Sequence, residues 1–264
     1  RLGSDYRYAS GIRTRNRRGP GSEFQELRDY RLGDSMRQID WRATARTRKP
    51  IAREYQDERD QNVVFLLDCG RRMRAVDGVI GHFDAALNAV LLMSYIALRQ
   101  GDSVAVATVA SDGRWLAPVK GAAMTDRILN ALYDLEPSNT IPDYNRAATE
   151  LLLKVRKHSL VVLVTNLRTE DSEELLPAVR LLGRRHRVVV ASLGEAAVRE
   201  ASRAEPTSFT QAVTAAATAN YLADRARALS LLRARGVLCV DAQPSRFSEA
   251  LASAYLEIKA AGAF

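Results

Sequence analysis

Two short runs, Asn62-Val-Val-Phe-Leu-Leu-Asp68 and Leu160-Val-Val-Leu-Val-Thr-Asn166, are apolar throughout and end on a polar residue. A strand with one wetted face would alternate, so unbroken Val/Leu/Phe runs of this length read as parallel strands covered on both faces. Parallel strands need helical crossovers, and the chain supplies them. Ile80, Phe83, Leu87, Val90, Leu91, Ser94 and Leu98 recur at helical spacing before Gly101. Met124–Leu135, Tyr144–Lys154, Ser172–Leu182 (with Pro177 inside it), Phe209–Arg235 and Phe247–Ala260 read as further helices. Ser103–Ala110, Arg187–Leu193 and Val237–Asp241 read as further strands, and Asp112-Gly113 predicts a hairpin into Arg114–Val119. The expected fold is α/β: a mostly parallel central sheet with helices on both faces, one antiparallel edge hairpin and an N-terminal extension.

The extension divides by composition. Residues 1–18 hold six arginines against the single acid Asp5 and read as a basic, flexible arm. Residues 19–60 form a second segment, in which charges interleave with Phe24, Leu27, Tyr30, Ile39 and Trp41. So many large apolar side chains exclude a solvated tail and predict a segment packed on the domain of residues 61–264, with Trp41 buried. The net charge of +8 is concentrated at the N-terminus rather than in a basic groove. Nucleic acid is therefore an unlikely partner, and binding of nucleic acid or an anionic surface through the arm is the alternative function. Cys69 and Cys239 lie in apolar runs and read as buried thiols.

Enzyme signatures are missing. The sequence has no phosphate-binding Gly-x-x-x-x-Gly-Lys-Ser/Thr loop and no Gly-x-Ser-x-Gly elbow. Asp68 lacks the second aspartate of a phosphoaspartyl site, and Arg74 is one residue short of a thiol phosphatase loop. Three scattered histidines leave a nucleophile without a base and zinc without a ligand set. The expectation is a non-enzymatic chain with no cofactor.

Gly19, Gly21, Glu23, Phe24, Leu27, Arg28, Tyr30, Gly33, Asp34, Arg37, Ile39, Asp40, Trp41, Ala45 and Arg46 together resemble the signature of the domain of unknown function 58 family. That resemblance implies a von Willebrand factor type A-like domain after the signature. It also implies partnership with a MoxR-type AAA+ ATPase in assembly, maturation or stress handling at the membrane. Family members often carry transmembrane helices before this region. The chain is accordingly expected to be a cytoplasmic domain tethered to the inner membrane by a preceding segment, with its basic arm near anionic lipid.

Type A domains often hold Mg²⁺ through Asp-x-Ser-x-Ser, a loop Thr and a second Asp. The corresponding residues here are Asp68, Gly70, Arg72, Thr140 and Asn166. Gly70 has no hydroxyl, Arg72 is a cation and Asn166 is neutral, so the metal site is read as degenerate. Arg72 is expected either to neutralise Asp68 or, with Arg71, to face a partner from this same surface.

Overall fold

The computed structural model describes residues 23–31, 36, 39–56, 61–110, 113–168, 172–195, 198, 201 and 205–262. It divides into two compact units, Arg1–Arg59 and Asp60–Phe264.

In the first unit, β1 (Glu23–Asp29) pairs antiparallel with β2 (Ile51–Gln56), and α1 (Trp41–Thr47) lies between them in sequence. Asp40 sets the start of α1. Its carboxylate accepts the N–H groups of Arg42 and Ala43, each at 3.0 Å, which satisfies donors that a helix N-terminus leaves unpaired. Its own N–H donates to Ile51 O, and Ile39 bridges Ala52. The signature aspartate therefore ties helix and strand together. Arg46 is exposed in the last turn of α1, and Tyr30 is held by its N–H on Pro50 O. Arg28 extends its guanidinium to Asp29 O. The side chains of Glu23 and Phe24, and all of Asp34, Arg37 and the basic arm, lie outside the described residues.

Trp41 departs from expectation. It is the first residue of a helix whose only buried position is Ala43, and it is 67% exposed. Among the described residues of this unit, the buried apolar side chains are Ala43, Ile51 and Ala52.

The second unit is built on β3 (Asn62–Asp68), β6 (Ser103–Val109), β7 (Trp115–Lys120), β8 (Leu160–Thr165), β9 (Arg187–Leu193) and β10 (Leu238–Ala242), with β4 (Val76–Asp77) and β5 (Ile80–Gly81) forming a small hairpin. The large sheet has the order β10-β9-β8-β3-β6-β7, all parallel except β7. The helices are α2 (His82–Arg99), α3 (Thr125–Leu132), α4 (Tyr144–Lys154), α5 (Ser172–Leu182), α6 (Phe209–Ala234) and α7 (Pro244–Ala260).

Alternate side chains along the strands go to opposite faces, and each face has its own core. Val63, Phe65 and Leu67 join α2, α3 and α7 on one side. Val64 and Leu66 join α4, α5 and α6 on the other. This double coverage explains the unbroken apolar runs of β3 and β8, and it is the α/β architecture expected. Cys69 is buried, whereas Cys239 is only half-buried, and both are free thiols. Among the described residues no helix is long and apolar enough to cross a membrane.

The last helix is locked to the N-terminal edge of the sheet by a buried carboxylate. Asp102 is fully buried and accepts from Lys259 Nζ at 2.7 Å, from the Tyr255 hydroxyl and from Gln61 N–H at 3.2 Å. Burial and the Asp102 charge hold the Tyr255 phenol far above its ordinary range, so it remains a donor. Asp102→Ala leaves the Tyr255 hydroxyl without its acceptor and the ammonium unpaired. The expected loss is about 3 kcal/mol, read by urea denaturation, with Lys259→Met costing less because its head is partly hydrated.

Candidate functional site

The chain passes from β3 to β6 on one side and later to β8 on the other, so the crevice at the C-terminal ends of β3 and β8 is a topological switch point. Open α/β sheets place ligands there. Asp68 ends β3 at this point and is fully buried. Its Oδ1 accepts the Gly70 N–H at 2.7 Å, and its Oδ2 accepts the hydroxyls of Tyr144 at 2.8 Å and Thr165 at 2.7 Å. Desolvation raises its pKa above the ordinary aspartate value despite these three donors. Burial first, then the Asp68 charge, hold the Tyr144 phenol well above its usual value.

Arg72 lowers the Asp68 pKa through space, and more weakly than any of the three hydrogen bonds. Arg72 thus acts on Asp68 alongside stronger hydrogen-bond donors from Gly70, β8 and α4. Those donors could not be assigned from sequence, because Tyr144 reads there as an ordinary first residue of an amphipathic helix.

Gly70 is closed to a side chain. A Cβ there would sit 3.0 Å from Asp68 Oδ1, from Pro142 Cδ and from Thr140 O. Thr140 is close by, since its carbonyl accepts the Arg71 N–H at 3.0 Å. Its hydroxyl, however, is turned to Ala110 O at 2.7 Å and to Ser138 Oγ at 2.6 Å. Arg71 is exposed on the short 3-10 turn Arg71–Arg74.

Asn166 belongs to a second, adjoining network. Its amide nitrogen lies 3.2 Å from His82 Nδ1 and donates to Glu195 at 3.3 Å, while Glu195 also accepts from Arg168 at 3.0 Å. His82 is fully buried, and desolvation is the main cause of its lowered pKa, so the ring is neutral. Behind these lies Arg225, 3% exposed and projecting from α6. It donates to Leu167 O, Leu193 O, Ser192 Oγ at 2.7 Å and Asp241 at 2.6 Å. One guanidinium thereby gathers the ends of β8, β9 and β10. The sequence carried one clue to this hub: the tips of β8 and β10 are polar after apolar runs, as the tip of β3 is.

The mostly parallel six-stranded sheet, covered on both faces and with one antiparallel edge strand, is the architecture that the resemblance to a von Willebrand factor type A-like domain implies. The chain belongs to the family described as "Protein of unknown function DUF58", which matches it over residues 26–214. No curated protein matches it in sequence. Among solved structures, the PilB minor pilin from Streptococcus sanguinis is similar at 12% identity with a TM-score of 0.51, over 81% of this chain and 64% of that one. The SpRpn10 VWA domain is similar at 14% identity with a TM-score of 0.47, over 72% of this chain and 93% of that one. An aerotolerance-related membrane protein from Bacteroides fragilis NCTC 9343, solved with multiple mutations to serine, is similar at 18% identity with a TM-score of 0.37, over 50% of this chain and 67% of that one.

Substitutions at two positions separate the networks. Because the Asp68 pKa is raised on folding, its protonation favours the native state. That stabilisation is complete below the unfolded-state value and lost as pH rises through the folded one. Asp68→Asn should therefore match or exceed the wild-type stability at pH 7, with its advantage shrinking on acidification. Asp68→Ala should cost about 1–3 kcal/mol, because the buried hydroxyls of Tyr144 and Thr165 are left with only each other, 3.0 Å apart, and one of the two must lose its acceptor. Arg225→Met, which abandons Asp241 and two buried carbonyls, should cost about 3–5 kcal/mol. Urea denaturation at neutral and mildly acidic pH reads all three.

Proposed function

We propose that this chain is a non-enzymatic protein-interaction module that engages its partner at the C-terminal edge of the sheet. The observation that carries the reading is the saturation of Asp68. Its two oxygens already hold one N–H and two O–H donors, where a type A metal site would need open ligand positions. Mg²⁺ demands near-octahedral oxygen donors. Gly70 cannot present one without moving its surroundings, the Thr140 hydroxyl is engaged elsewhere, and Asn166 is tied to the His82, Glu195 and Arg225 network. These residues do not fit the ion, and the site is read as a degenerate one.

Recognition then falls to the rim. Arg71 and Arg74 are exposed there, and so are Val76, Val79 and Ile141, with Val79 98% exposed. The Arg71–Thr140 hydrogen bond brings the two rim loops together. Apolar side chains beside guanidiniums suit a protein partner with acidic groups around an apolar anchor. Membership of the family supports a MoxR-type AAA+ ATPase as that partner, at the cytoplasmic face of the inner membrane.

Two experiments test this. Calorimetric titration with Mg²⁺ or Mn²⁺ should reveal no site tighter than about millimolar; a micromolar site abolished by Asp68→Ala would overturn the degenerate-site reading. Pull-down of the cognate ATPase should weaken by roughly tenfold or more with folded Arg71→Glu or Arg74→Glu protein. Capture at wild-type affinity would place the interface elsewhere.

A further inference from the structure

At the opposite edge of the sheet, where β9 and β10 begin, a cleft of about 570 Å³ lies beside the C-terminal ends of α5 and α6. Val188 and Val237 give it an apolar lining, and Arg180, Arg187 and Arg235 give it positive charge. Among the described residues no carboxylate lines it. None of these three guanidiniums has an ion-pair partner among the described residues.

His186 lines the same cleft. It is 3% exposed, and neither ring nitrogen has a hydrogen-bond partner. Burial, then His158 and Arg185, lower its pKa to about 4, so the neutral ring offers one N–H donor and one bare acceptor. Buried polar groups in native proteins are nearly always hydrogen-bonded, and an idle one asks for a partner. Cations at helix C-termini have a use of their own in offsetting the dipole, which accounts for Arg180 in the last turn of α5 and for Arg235 at the end of α6. It does not account for Arg187, the first residue of a strand, or for His186 beside it.

We propose that this cleft binds a small organic phosphate, its anionic group held by Arg180, Arg187 and Arg235 and its body packed on Val188 and Val237 within reach of His186. Guanidinium pairs phosphate oxygens bidentately, and three unpaired cations match a dianion better than a monocarboxylate. The volume falls within the range of small-molecule sites, roughly 300–1,000 Å³, and exceeds what bare phosphate fills. This site is independent of the partner surface at the other edge of the sheet.

The test titrates the whole chain with AMP, inorganic phosphate and benzoate, following the His186 imidazole by NMR and the melting temperature in parallel. AMP should shift the His186 resonances saturably with a Kd below about 1 mM and raise the melting temperature. Inorganic phosphate should bind more weakly, and benzoate most weakly. Arg187→Glu, a change at an exposed side chain, should weaken AMP by roughly tenfold or more, whereas Arg71→Glu should leave AMP binding unchanged. The proposal is overturned if neither AMP nor phosphate moves His186 up to about 10 mM, or if folded Arg187→Glu binds AMP within about twofold of wild type. Benzoate binding more tightly than AMP would overturn the assignment to a phosphate.

Discussion

The C-terminal edge of the sheet depends on one buried cation. Parallel strands end with carbonyls and polar tips pointing into a crevice, and each needs a partner once water is excluded. Arg225 meets that need for three strands at once, through two carbonyls, one hydroxyl and the Asp241 carboxylate. Its desolvation is costly and is offset only because its donors are directed at fixed acceptors. The position of α6 across β8, β9 and β10 follows from this requirement as much as from apolar packing by Ala228, Leu229 and Leu232.

Asp68 poses the reverse problem, a buried acid on which the nearby cation Arg72 acts more weakly than its three hydrogen bonds. Two hydroxyls and a backbone N–H stabilise it, yet desolvation still dominates its titration. A carboxylate in that state is a structural acceptor more than a ligand in waiting. On the function proposed above, recognition would fall to the exposed Arg71, Arg74, Val76, Val79 and Ile141.

At the C-terminal edge, Arg225 and Asp68 are buried with several partners each, although Arg225 Nε and His82 Nε2 have none. At the N-terminal edge, beneath β9 and β10, cations stand unpaired around a neutral buried imidazole. Fold alone does not assign function; the partner surface and the small-anion cleft are separate proposals that rest on different residues.

Much of the fold was legible in the chain. The apolar runs of β3 and β8 and the helical spacing of α2 follow from periodicity, because covering a strand on both faces leaves a direct mark on composition; β7 pairs antiparallel with β6 as expected, although Asp112 of the predicted turn lies outside the described residues. The signature residues identified the family, and Gly70, Arg72 and Asn166 already departed from a metal-ligand pattern. Only the tertiary structure decided what replaced that pattern. Tyr144 and Thr165 reach Asp68 from positions 76 and 97 residues away in sequence, and Arg225 reaches Asn166 from 59 away. Trp41 likewise looked like a core residue until its place at the first turn of a short helix left it exposed. Periodicity reports which side of an element is dry. Which polar groups meet across elements depends on strand order and helix placement, and those are properties of the folded chain.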